Sequence, residues 1–164
     1  MGLRTSPMAQ VFLEGCRVPR GAVLGGVGSG AMIFNQTMDV ERLLVMAPAV
    51  GVMERLLERC VEHARHRKAG AVPIGRHQAV AHRIADMELD LEASRLLLYR
   101  AAWQKARRGT ATRESALAKL AVSEAYVASC RSALQLFGGY GYTVEYEVER
   151  ELRDALATTI YVGT

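Results

Sequence analysis

Apolar residues recur at spacings of three and four along most of this chain, the period of helices that bury one face. Val80, Ile84, Met87, Leu91, Ser94, Leu98 and Ala101 form the cleanest stripe. Arg107-Arg108-Gly109 closes it with bases in the last turn and a glycine stop. Leu43, Ala47, Val50, Leu57, Val61 and Ala64 predict an earlier helical stretch, beginning near Ala31 and bent at Pro48. Leu120, Ser123, Val127, Cys130, Leu134 and Phe137 predict a third, stopped by Gly138-Gly139, and a short fourth segment runs from about Val144 to Thr158. Three long helices with short connections imply a mainly α fold, an antiparallel helical bundle.

Residues 1–28 break this period. Val11-Phe12-Leu13 is a short extended run, Pro19 pushes its neighbour into extended geometry, and Gly25, Gly26, Gly28 and Gly30 make a flexible loop. The run reads as the last strand of a β domain, and a lone strand must find a partner for its backbone groups. The expected division is a short β-domain remnant over 1–28 and a helical-bundle domain over 29–164.

Composition narrows the class. With 164 residues, half of them hydrophobic and 23% charged, the chain can bury one ordinary core. The net charge of +4 raises nucleic acid as a partner, but bases alternate with acids at Glu54-Arg55, Glu58-Arg59 and Glu149-Arg150-Glu151. That is the pattern of solvated helix faces, and no basic-aromatic module accompanies it, so nucleic acid is excluded. Cys16, Cys60 and Cys130 are far apart and odd in number, which reads as a reduced thiol set. The longest apolar run, Leu43 to Met53, contains Pro48 and is far short of the ~20 residues of a membrane helix. No signal-type core is visible, and the expectation is a cytoplasmic protein without a membrane partner.

Each candidate motif has a bland reading beside it. The Gly25–Gly30 loop lacks the Gly-Lys-Ser/Thr ending of a phosphate cradle and reads as a connector. His63 and His66 lie one helical turn apart without a carboxylate or cysteine partner, so no metal is expected and both read as solvated. Gln135-Leu136-Phe137-Gly138-Gly139-Tyr140-Gly141-Tyr142 permits close backbone approach to a ligand, or simply caps a helix. Asp39-Val40-Glu41-Arg42 reads as the opening of the first helix, where the dipole favours acids.

Taken in order, Gln-x-x-Gly-Gly-x-Gly-Tyr, then Glu149-Arg150, then Arg153-Asp154-Ala155, resembles the C-terminal portion of the acyl-CoA dehydrogenases. Gly2-Leu3-Arg4-Thr5-Ser6, Arg17-Val18-Pro19, Arg67-Lys68…Gln78, Ala85-Asp86-Met87 and Tyr99-Arg100-Ala101-Ala102-Trp103 extend the resemblance over essentially the whole chain. It implies an FAD-dependent oxidation of an acyl-CoA to the trans-2-enoyl-CoA, with an electron-transfer flavoprotein or similar acceptor and a homo-oligomeric enzyme. It also implies cofactor contacts at Arg67, Gln78, Gln135, Leu136, Phe137, Gly138, Gly139 and Thr164, with Arg67 reaching the pyrophosphate of a neighbouring subunit's FAD and Gln135–Gly139 touching the flavin nucleotide across a dimer interface. A guanidinium fork at Arg67 suits paired phosphates. One departure stands out: Gly70-Ala71 occupy the place of the family's Phe-Gly, which removes an aromatic contact near the cofactor. The family's N-terminal helical domain, most of its β domain and its final helix have no counterpart in these 164 residues. The expectation is therefore an incomplete bundle with an exposed apolar groove, inactive by itself, and the alternative reading is a noncatalytic helical remnant or oligomerisation module.

The family reaction needs a carboxylate base beside the thioester α-carbon. The chain's end, Ile160-Tyr161-Val162-Gly163-Thr164, resembles the family's Ile-Tyr-Glu-Gly-Thr with valine in place of the glutamate. Val162 cannot take a proton, but its backbone N–H can still donate to the thioester carbonyl. In the isovaleryl-CoA and long-chain branches the base sits in a Glu-Arg run like Glu41-Arg42, with a small residue before Gly-Thr. The resemblance thus implies Glu41 as the base, with Asp39, Arg42, Val162 and Gly163 ordering the substrate side.

Overall fold

The computed structural model describes residues 1–163. Five α-helices carry the architecture: α1 (Gly30–Leu44), α2 (Ala47–His66), α3 (Gln78–Arg108), α4 (Thr112–Phe137) and α5 (Val148–Thr158). The mainly α expectation holds, with α2, α3 and α4 forming the antiparallel core of the bundle and α1 and α5 packed against α4. The long helix bent at Pro48 is in fact two helices. The chain breaks at Val45-Met46, and Pro48 falls in the first turn of α2, where a missing N–H is harmless. Met46, Met53 and Leu56 are fully buried behind that break. Each such side chain contributes roughly 1.5–3 kcal/mol on burial.

The α3 stripe is where the period puts it: Met87, Leu91, Ser94, Leu98 and Ala101 are buried, Val80 and Ile84 half-buried. Gly109 ends the helix in the left-handed conformation. The expected α4 stripe holds at buried Ser123, Cys130 and Phe137 and half-buried Val127 and Leu134, and fails at Leu120. Its buried face runs through Ser115, Ala118, Lys119, Val122, Ser123, Tyr126, Ser129, Cys130 and Ala133, and Leu120 is 56% exposed. Small residues win this face because α4 lies between the other helices and must let their backbones approach. The hydroxyls of Ser115 and Ser123 are satisfied within the helix, donating to the carbonyls of Thr112 and Leu120 at 3.2 and 3.1 Å.

Val11-Phe12-Leu13 forms no ladder and is exposed, so the expected strand is not present among the described residues. Without other strands, nothing satisfies its backbone groups in a sheet. The described strands are instead a hairpin between α2 and α3, with Lys68 opposite Pro73 and Ala69 opposite Val72. Gly70 turns that hairpin at φ +66°, a conformation that the aromatic residue usual in the family adopts only under strain. The N-terminus does dock: Leu3 N–H donates to Asp154 Oδ1 at 2.6 Å and Arg153 Nη1 to the Met1 carbonyl at 2.7 Å. On the outer side of α3, Leu89, Leu96, Tyr99 and Trp103 stand exposed at helical spacing.

Candidate functional site

Two regions gather the residues singled out by sequence. The first lies where the end of the described chain returns to α1. Glu41, Leu44, Val45 and Val162 line a recess of about 350 Å³, a single carboxylate among apolar side chains. Arg42 Nε donates to the Val162 carbonyl at 3.2 Å, and its Nη2 lies 3.2 Å from where a Cβ on Gly163 would stand. Val162 is left-handed at φ +55° and Gly163 lies at φ +100°. For a β-branched residue that conformation is a genuine outlier, costing about 1–3 kcal/mol. Among the described residues no acceptor takes the Val162 N–H. Half-buried Tyr161 packs against the core beneath the turn, and burial pushes its phenol pKa up. Thr164 lies outside the described residues.

The Asp39–Arg42 run does not open α1. It occupies the last two turns, where the dipole no longer favours acids. Asp39 also faces away from the recess. It is 4% exposed, and its Oδ2 accepts from the hydroxyls of Thr112 at 2.8 Å and Thr110 at 3.4 Å, at the positive N-terminus of α4. Its Oδ1 has no partner among the described residues. Asp39 therefore fastens α1 to α4, while Glu41, two residues on, points to the recess.

Lys119 is a residue that the helical period hid. It is buried in α4, and its Nζ donates to the carbonyls of Thr159, at 3.3 Å, and Gly163. Burial pushes its pKa down, the nearby Arg42 charge does the same, and Glu124 opposes them.

The second region lies at the far end of α4. Arg67, Leu136, Phe137, Gly138, Gly139 and Tyr140 line a recess of about 560 Å³, so the structure brings the arginine and the glycine segment together. The Arg67 guanidinium lies over the Tyr140 ring, 5.6 Å from its centre. Gly138 turns the chain at φ +59°, and a side chain added there would meet open space. Gln135 lines an adjoining recess of about 460 Å³ with Arg83 and Arg131, two cations that no sequence pattern flagged. Gln78 opens α3 and lines neither recess. A dinucleotide cofactor fits this donor set: arginines for phosphates, a glycine turn open to close approach and aromatic walls. His63 is not the solvated histidine expected. It stacks on Phe137 with ring centres 4.3 Å apart, and burial, then the Arg67 charge, push its pKa down. His66 is exposed and pairs with Glu62 at 3.1 Å. No cluster of three or more metal-binding side chains occurs among the described residues, and no described helix is long and apolar enough to cross a membrane.

Comparison with known proteins gives a consistent picture. Residues 28–164 match the family model "Acyl-CoA dehydrogenase, C-terminal domain". The L-prolyl-[peptidyl-carrier protein] dehydrogenase of Pseudomonas fluorescens is 45% identical over 162 residues, 99% of this chain and 43% of that protein. The mitochondrial short-chain specific acyl-CoA dehydrogenase of Mus musculus is 42% identical over 164 residues, all of this chain and 40% of that one. A crystal structure of an FAD-dependent dehydrogenase superposes with a TM-score of 0.97 at 44% identity, over 99% of this chain and 44% of its own. The chain thus spans about two fifths of the length of the relatives it matches.

Proposed function

The chain belongs to the acyl-CoA dehydrogenase family, and from that premise we propose that residues 29–164 form the helical C-terminal domain of an FAD-dependent dehydrogenase acting on a thioester. Residues 1–28 lead into that domain from a β domain. The observation that carries the reading is the meeting of Glu41 and Val162 around one recess, from a helix and a turn far apart in sequence. Glu41 takes the proton α to the thioester carbonyl. The N–H of Val162, unpaired among the described residues, donates to that carbonyl and stabilises the negative charge that develops there. Apolar Leu44 and Val45 keep water from the carboxylate once substrate covers it. Arg67, Gly138 and Gly139 would hold FAD across a dimer interface, with Gln135 beside them. When bound, FAD supplies the acceptor for the hydride that leaves the β-carbon. The redox partner implied by the resemblance is an electron-transfer flavoprotein or similar acceptor. The exposed Leu89, Leu96, Tyr99 and Trp103 face supports association with further subunits or domains.

The identity to a prolyl-carrier-protein dehydrogenase favours a second substrate class. An acyl-CoA and a carrier-bound aminoacyl group present the same thioester on the same kind of arm, so Glu41 and Val162 serve either. The test is reduction of an electron-accepting dye by the flavin-loaded protein, offered a series of acyl-CoAs and a prolyl thioester on a carrier protein. Turnover of one class identifies the substrate. Turnover of neither, with flavin bound, returns the chain to the reading of a noncatalytic helical module.

A further inference from the structure

Three backbone carbonyls in the five residues Thr159–Gly163 are held by two cations from different helices. Lys119 of α4 takes those of Thr159 and Gly163, and Arg42 of α1 takes that of Val162. Lys119 is only 5% exposed, so its ammonium has exchanged water for these carbonyls. A cation on the last carbonyls of α5 would be an ordinary helix cap. Gly163, however, lies five residues beyond the end of α5 at Thr158, and between them stands the left-handed Val162. A strained turn persists only where its surroundings over-determine it. The two cations do that here, and they leave the Val162 N–H unpaired among the described residues.

We propose that Lys119 is a positioning residue: with Arg42 it clamps the Thr159–Gly163 turn and so holds the Val162 N–H for the thioester carbonyl beside Glu41. The proposal rests on the functional reading of Glu41 and Val162 given above. Lys119 itself touches neither proton nor substrate.

The experiment compares Lys119→Met and Lys119→Arg with the parent in the flavin-loaded protein carrying this chain. Lys119→Met is expected to lower kcat about 100-fold, the usual cost of a misplaced reacting group, with KM changed by less than about 3-fold. Flavin content stays at the parent level, and Lys119→Arg recovers a substantial part of kcat. Amide exchange at Tyr161–Gly163 quickens about 10-fold in Lys119→Met while that of α4 stays unchanged. If Lys119→Met does not fold, Lys119→Gln, which keeps a donor for one carbonyl, is held to the same criteria. Unchanged kcat, or a loss of kcat that follows flavin loss with the turn still protected, overturns the proposal. A parent protein inert towards every thioester refutes the functional reading instead, and amide exchange alone then decides whether Lys119 holds the turn.

Discussion

Thr112→Val is the substitution that most sharply tests how α1 is held. It keeps the shape of the side chain and deletes the hydroxyl that donates to Asp39 Oδ2 at 2.8 Å. The carboxylate is buried, its other oxygen is already unpartnered among the described residues, and Thr110 approaches only to 3.4 Å. A hydrogen bond to a charged group is worth about 1.5–3 kcal/mol, and the larger share of the loss is the anion left behind. Exposure of both threonines lets water reach the gap, so we take the middle of that range, about 2 kcal/mol. For a chain of this size that lowers Tm by about 4–8 °C. Thermal unfolding of the parent, Thr112→Val and Thr112→Ser measures it, with the serine variant expected near the parent. The double variant Asp39→Leu/Thr112→Val is expected to recover part of the loss, since no carboxylate is left stranded. A Thr112→Val protein within about 0.5 kcal/mol of the parent, the range of ordinary surface substitutions, would refute the reasoning.

Thiol reactivity separates the cysteines: Cys16 is exposed, whereas Cys60 and Cys130 are buried. Burial pushes the Cys60 thiol up to about 12 and the Cys130 thiol higher than its ordinary value too. A thiol probe should label one site in the folded protein and three in denaturant. Because the unfolded thiols release protons first, stability should fall as pH rises above about 9, and Cys60→Ala should weaken that dependence. The depressed His63 acts in the opposite direction. The unfolded chain binds its proton first as pH falls, so the stability is present above about pH 6.5 and lost below it. His63→Phe should keep the stack on Phe137 and flatten the acid limb in denaturation curves taken across that window. At the N-terminus, Gly2→Ala would drive a methyl into the Arg153–Asp154 backbone, 2.7 Å from Asp154 N. It should release residues 1–6 to limited proteolysis with α5 intact, and unchanged cleavage would count against the docking described.

Much of the bundle was legible because its signals are local. The α3 period, the left-handed stop at Gly109 and the turn at Gly138 each follow from a residue and its near neighbours. What failed depended on partners far along the chain. Period alone placed Leu120 inside and passed over Lys119, because it could not know that α4 would pack through its small residues. Glu41 was singled out only through resemblance, and its helical position was misjudged: α1 starts at Gly30, far before Asp39. His63 looked solvated because Phe137, its stacking partner, lies on another helix. The expected strand at Val11–Leu13 failed for a related reason, since a strand is defined by a neighbour that the local sequence does not supply.

The central claim is that Glu41 has the proton-abstracting role that Val162 cannot perform. Its most direct test is exchange of the substrate's α-hydrogen with deuterated water in the flavin-loaded protein, parent against Glu41→Gln. The account predicts exchange in the parent and a loss of at least about 100-fold in Glu41→Gln, within the contribution of a positioned base, with flavin and substrate still bound. Exchange at the parent rate in Glu41→Gln would contradict it.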